Sequence, residues 1–218
     1  MKALAHISEH AIARIRIFVF ALALLPLFRL IVGVPLEWLG VNPIEFITRS
    51  TGTWTLVFLL ITLGVTPLRR LTGWAWILRL RRMLGLFAFF YGLLHFTTYI
   101  WLDQFFDGEA IVKDIVKRPF ITIGFTAFVL MIPLAVTSTN AMVRRLGGRR
   151  WRQLHRLVYA LTVCAVVHYW WLVKRDLTQP VLYALVLAIL LGARVHWMLA
   201  ERRCMSARPD RPRAPESA

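Results

Sequence analysis

Acidic residues are scarce in this 218-residue chain: 11 Asp and Glu stand against 27 Lys and Arg, and charged residues make up only 17% of the total. Soluble domains average about 25%, so a surface that faces water on every side is excluded. Cysteine is rarer still. Cys164 and Cys204 are the only two and lie far apart, which excludes a disulfide framework and a cysteine zinc site. No Cys-x-x-Cys-His run is present, and neither is a Gly-x-Gly-x-x-Gly loop or a βαβ pattern to hold a nicotinamide or flavin dinucleotide. No convincing internal repeat is legible.

What fills the sequence is hydrocarbon. Hydrophobic residues make up 58% and aromatic residues 13%, with a mean hydropathy of +0.61. A bilayer core about 30 Å thick takes roughly 20 apolar residues per helix, and six stretches meet that length: 17–34, 51–68, 83–101, 119–139, 153–173 and 179–199. The fold expected is all-α, a polytopic integral membrane bundle of six transmembrane helices. No small-residue cleavage site follows the first stretch, and Arg14 and Arg16 precede it, so it reads as a retained helix.

The net charge of +16 is distributed by side and does not point to nucleic acid. Eighteen basic residues fall before the first stretch, in the second and fourth gaps, and after the last; Arg69, Arg70, Arg81, Arg82, Arg144, Arg145 and Arg152 are among them. The alternate gaps hold only Arg49, Lys113, Lys117, Arg118, Lys174 and Arg175, together with most of the acids. The positive-inside rule then places both termini in the cytoplasm. Residues 1–16 are expected to be a cytoplasmic segment, 17–199 the membrane domain, and 200–218 a disordered basic tail rich in Arg and Pro.

Ionisable groups inside spans are functional suspects, because burying them in lipid is expensive. His6 and His10 precede the spans, and His196 lies near the cytoplasmic end of the last one. The informative histidines are His95, His155 and His168. His95 lies about 9 Å from the outer end of the third stretch, at 1.5 Å rise per residue, and His168 five residues from Val173 at the outer end of the fifth. Two imidazoles at one depth on two helices suit axial ligation of a haem iron, each offering a neutral nitrogen to one face. Gly92 and Ala165, three residues before each histidine, leave room for a flat ring. With no carboxylate or thiolate nearby, the pair makes a poor cage for zinc or copper.

His155 precedes His168 by thirteen residues, which in an ideal helix leaves the two side chains roughly 140° from a common face. The positions opposite it on the third helix are Arg81 and Arg82, neither a usable iron ligand. A second iron, a water-completed site, pairing with His196, another redox group and a plain interfacial role all stay open for it. Arg29 reads as a snorkelling side chain or a partner for a haem propionate, and Trp170 and Trp171 as part of an aromatic belt.

Several segments together resemble the ferric-reductase-like transmembrane family: Arg81-Arg82-Met83-Leu84-Gly85-Leu86, Leu94-His95-Phe96, Thr137-Ser138-Thr139-Asn140-Ala141-Met142, Trp151 to Tyr159, and His168-Tyr169-Trp170. The resemblance covers about residues 10–200. Within the family it is nearest to the haem-binding membrane subunits of bacterial periplasmic methionine-sulfoxide reductases. It implies that His95 and His168 ligate haem b and that His155 matches the family's third histidine. It further implies an inner-membrane subunit carrying electrons from the quinone pool or a cytoplasmic flavin reductase to a periplasmic molybdenum-containing partner, with FMN as a second cofactor. The dinucleotide domain of larger relatives has no counterpart in this sequence, so a separate donor is expected. The alternatives are a proton or metal-ion transporter using the intramembrane histidines, and a membrane anchor with structural histidines.

Overall fold

The computed structural model describes residues 7–206, and within them every regular element is helical. His6 and the tail beyond Ser206 lie outside the described residues. The long helices are α1 (Glu9–Gly33), α2 (Pro43–Thr72), α3 (Arg81–Thr98), α5 (Pro119–Val136), α8 (Leu157–Leu172) and α9 (Thr178–Ser206). A 3-10 turn at Ala75–Arg79 leads into α3, and a π-helical turn at Tyr99–Asp103 extends it. Three short helices complete the chain: α4 (Gly108–Lys117), α6 (Asn140–Leu146) and α7 (Gly148–Leu154).

Local signals start and stop these helices. The Ser8 hydroxyl accepts from the Ala11 N–H at 3.3 Å, and the Asn42 side chain accepts from the Glu45 N–H at 3.2 Å, with Pro43 at the first helical position. The first turn of α4 is capped by Asp107. At the other end of α2, Gly73 takes a left-handed conformation (φ 76°) that a side chain would disfavour.

Five helical stretches are long and apolar enough to cross a membrane: α1, α2, Ala75–Asp103, α5 and α9. The chain is a multi-pass membrane protein, and the large apolar side chains left exposed on α1 and α9, such as Ile17, Phe18, Leu185 and Ile189, are what a lipid-facing surface requires. The fifth expected stretch behaves differently. Its helix breaks at His155 and Arg156, and α8 runs for only 16 residues, about 24 Å. The break falls where Trp151, Arg152, Gln153, His155 and Arg156 crowd together, before the uninterrupted apolar run begins at Leu157. At the far end of the chain, α9 continues past residue 200 to Ser206.

Two helix pairs form the centre, α2 against α3 and α5 against α8, and α3 packs on α5 to join them. The buried core includes Leu56, Leu59, Phe87, Met131, Leu161 and Val166. Helix α1 lies outside on α2, and α9 on α2 and α8. Arg79–Glu9 and Arg70–Glu201 ion pairs, at 2.5 and 2.7 Å, tie these outer helices down at the arginine-rich end.

One buried contact fixes α1. The Tyr91 side chain is fully buried, stacked on Phe58 with ring centroids 5.4 Å apart. Its hydroxyl donates to the Ala23 carbonyl at 2.7 Å and accepts from the Leu27 N–H at 3.2 Å. Those two groups are the i and i+4 partners of a helical hydrogen bond, so the phenol docks on the backbone ladder of α1 beside Pro26. A Tyr91→Phe variant removes both hydrogen bonds that tie α3 to the backbone of α1, a loss of about 0.5–1.5 kcal/mol each. It is expected to unfold at a lower temperature in detergent than the parent protein.

Candidate functional site

The third and fifth expected spans deliver their histidines to one place. His95 on α3 and His168 on α8 face each other with ring centroids 6.3 Å apart and planes inclined at 68°. Each ring is oriented by a backbone carbonyl of the helix beside it. His95 Nδ1 lies 2.8 Å from the Thr48 carbonyl oxygen on α2, and His168 Nδ1 lies 2.6 Å from that of Phe120 on α5. A carbonyl only accepts, so each Nδ1 carries the proton and donates it. Each Nε2 is thereby left with its lone pair, the tautomer that a metal ligand needs.

The separation suits a metal held between the rings. A metal–imidazole bond of about 2 Å, with about 1 Å more from nitrogen to ring centre, puts two axial imidazoles roughly 6 Å apart. Among the described residues no three His, Cys, Asp or Glu side chains come together as a metal cage. A pair of imidazoles is the ligand number that haem leaves to its protein. The cavity around them is about 330 Å³, within the usual range of roughly 300–1,000 Å³ for cofactor pockets. Gly92 and Ala165 line it as expected, with Phe96, Phe125 and Phe128 among the apolar walls.

Other residues at this site were not singled out by the sequence. A Cβ on Gly52 would lie 3.0 Å from His95 Cε1, and one on Gly124 would lie 2.6 Å from His168 Nδ1. Gly92, by contrast, makes room for Thr55 and Met131 at 3.4 and 3.5 Å. Arg49 and Arg118 line the cavity at the starts of α2 and α5, beside Glu45 and Asp114 at 2.7 and 3.3 Å. Arg29 does not line it; its guanidinium lies over the Phe46 ring, 5.5 Å from the centroid. The signal available for Arg49 and Arg118 was their position at the starts of two spans.

His155 occupies a second cavity, of about 310 Å³, toward the arginine-rich end. Arg81 and Arg82 line it as the positions facing His155, along with Trp151 and Ser138, and no acidic residue does. The helix break between His155 and His168 dissolves the conflict of helical phase, because the two do not share one continuous helix. His196 is exposed and does not line this cavity. The His155 ring stacks on Trp151 at 3.9 Å, and its Nε2 lies 3.1 Å from Thr137 Oγ1. That hydroxyl donates to the Pro133 carbonyl at 2.6 Å, so it accepts from His155 Nε2–H. His155 therefore differs from the facing pair in having its Nε2 engaged. Leu59 and Met131 border both cavities.

Residues 50–166, a stretch that contains His95 and His155 and ends two residues before His168, match the model of the ferric reductase like transmembrane component. The chain belongs to this ferric-reductase-like family. Relatives in the family agree along nearly the whole length. The protein-methionine-sulfoxide reductase heme-binding subunit MsrQ of Herminiimonas arsenicoxydans is 56% identical over 199 residues, covering 90% of this chain and 91% of that protein. The MsrQ proteins of Ralstonia nicotianae and Rhodospirillum rubrum are 61% and 54% identical, over 84% and 86% of this chain and 86% and 90% of theirs.

For this ferric-reductase-like protein, replacing Thr137 by Val should release His155 alone. Nitrogen NMR of histidine-labelled protein is expected to show a changed Nε2 signal for His155, with those of His95 and His168 unmoved.

Proposed function

We propose that the chain is a haem b-containing transmembrane electron-transfer subunit that serves a periplasmic methionine-sulfoxide reductase. The observation that carries this reading is the facing pair His95 and His168, each with Nδ1 on a helix carbonyl and Nε2 free, in a cavity walled by phenyl rings. His95 and His168 are the axial ligands in this reading. Haem bound there supplies one-electron exchange. The protein's part is to fix both rings, exclude water with Phe96, Phe125 and Phe128, and present Arg49 and Arg118 to carboxylates at the outer rim. The relatives' heme-binding name supports the cofactor, and their methionine-sulfoxide reductase name supports the partner.

The arginine distribution supports the orientation. With both termini cytoplasmic, α8 counts as a sixth, short span, and residues 17–199 form the membrane domain between a cytoplasmic segment (1–16) and a basic tail (200–218). The membrane is then the bacterial inner membrane, and the first cavity opens toward the periplasm. Electrons enter from the quinone pool or a cytoplasmic flavin reductase and leave to a molybdenum-containing partner, on which methionine sulfoxide is reduced. The second cavity suits FMN: Arg81 and Arg82 offer cations to a phosphate, and Trp151 and His155 offer flat faces to a ring system. His155 is a cofactor contact here, and becomes an iron ligand only by giving up Thr137.

A reduced-minus-oxidised visible spectrum tests the proposal. Purified protein from haem-replete cells is expected to show b-type bands that are lost in His95→Ala and in His168→Ala and kept in His155→Ala; a colourless parent protein rules the reading out. Flavin retention is read separately, by fluorescence after denaturation. It should fall in an Arg81→Ala, Arg82→Ala double variant with the haem bands unchanged, and a parent protein free of flavin would remove FMN from the second cavity.

A further inference from the structure

Both imidazoles are served by one arrangement, built twice. On α2 the carbonyl that holds His95 belongs to Thr48, and Gly52 follows four residues later; on α5 the carbonyl that holds His168 belongs to Phe120, and Gly124 follows four residues later. Carbonyl and histidine are 47 residues apart in the first instance and 48 in the second. In an α-helix the N–H of residue i+4 already donates to the carbonyl of residue i. Gly52 and Gly124 therefore stand over the oxygens that the imidazoles must also reach.

The space at these positions is taken by the rings themselves. A Cβ at residue 52 would lie 3.0 Å from His95 Cε1 and 3.1 Å from Nδ1; at residue 124 it would lie 2.6 Å from His168 Nδ1 and 2.8 Å from Cε1. The other glycines of α2, α3 and α5 meet no histidine. Gly64 has only Leu190 at 3.9 Å, Gly85 only Thr62 at 3.8 Å, and Gly92 meets Thr55 and Met131. Glycine weakens a helix interior relative to alanine, so its placement at both ligand sites has a local cause.

We infer that Gly52 and Gly124 are positioning residues for the two haem ligands, each clearing the approach of an imidazole Nδ1–H to a shared helix carbonyl. The inference rests on His95 and His168 being the axial ligands. The hydrogen bond fixes the tautomer and makes the imidazole a stronger electron donor. A stronger donor favours ferric over ferrous iron, so the two glycines hold the reduction potential down. Gly124 is the stricter position, because its clearance is the smaller.

The test uses the full chain with haem bound and compares Gly52→Ala, Gly124→Ala and, as a control on α2, Gly64→Ala. Haem content, midpoint potential and carbon monoxide binding by the ferrous protein are measured, with circular dichroism as the check on folding. The expected result is a raised midpoint in Gly52→Ala with haem retained. Gly124→Ala is expected to lose haem affinity by roughly tenfold or more and to bind carbon monoxide where the parent does not, while Gly64→Ala matches the parent. Should Gly124→Ala fail to fold, the midpoint of Gly52→Ala decides. Haem-loaded variants with the parent's potential and no carbon monoxide binding overturn this inference alone, whereas a parent protein without haem overturns the ligand reading beneath it.

Discussion

A neutral imidazole in a membrane bundle has one proton to give and one lone pair to offer, and where the proton goes decides where the lone pair points. In this protein the proton of each facing histidine goes to a main-chain carbonyl of a neighbouring helix, 2.8 Å away for His95 and 2.6 Å for His168. A main-chain acceptor cannot rotate away as a side chain can. The orientation of each ring is thus set by the position of a whole helix, and the close packing of α2 on α3 and of α5 on α8 becomes a condition of the site. The rest of the bundle serves that condition. The phenol of Tyr91 pins α1 to the first pair, and α9 closes over α2 and α8.

The two cavities show how the same frame yields different chemistry. Thirteen residues separate His155 from His168 on one side of the core, and the same number separate Arg82 from His95 on the other. One level therefore has histidine from both pairs, while the level nearer the arginine-rich end has histidine from one and arginine from the other. Two imidazoles invite a metal between them, whereas an imidazole opposite guanidinium groups invites a planar group bearing negative charge. The helix break at His155 and Arg156 is what lets one chain present side chains to both levels.

Much of this was legible in the sequence. Hydropathy located the long helices, and counting residues from the outer ends put His95 and His168 at one depth, where they meet. Arg81 and Arg82 were found facing His155, as helical spacing required. Three features were not legible, each for a physical reason. The shortness of α8 depends on where a crowded polar turn interrupts a helix, which apolar length does not record. Gly52 and Gly124 lie in helices other than those of their histidines, so only tertiary packing reveals what they make room for. Gly92, chosen by proximity in sequence, accommodates Met131 instead. The twofold repetition is likewise one of geometry, carried by carbonyls and gaps that any residue type can supply.

Leu59 and Met131 line both cavities, and neither side chain carries an N–H or O–H group. Such side chains offer a proton no hydrogen-bonded relay, and an ion passing them would shed its hydration. An electron needs neither service, only short distance. In the proposed electron-transfer role, the two side chains are an insulator that discriminates by the kind of particle. In an energised membrane, a carrier of that kind passes charge as electrons without a relay for protons beside them.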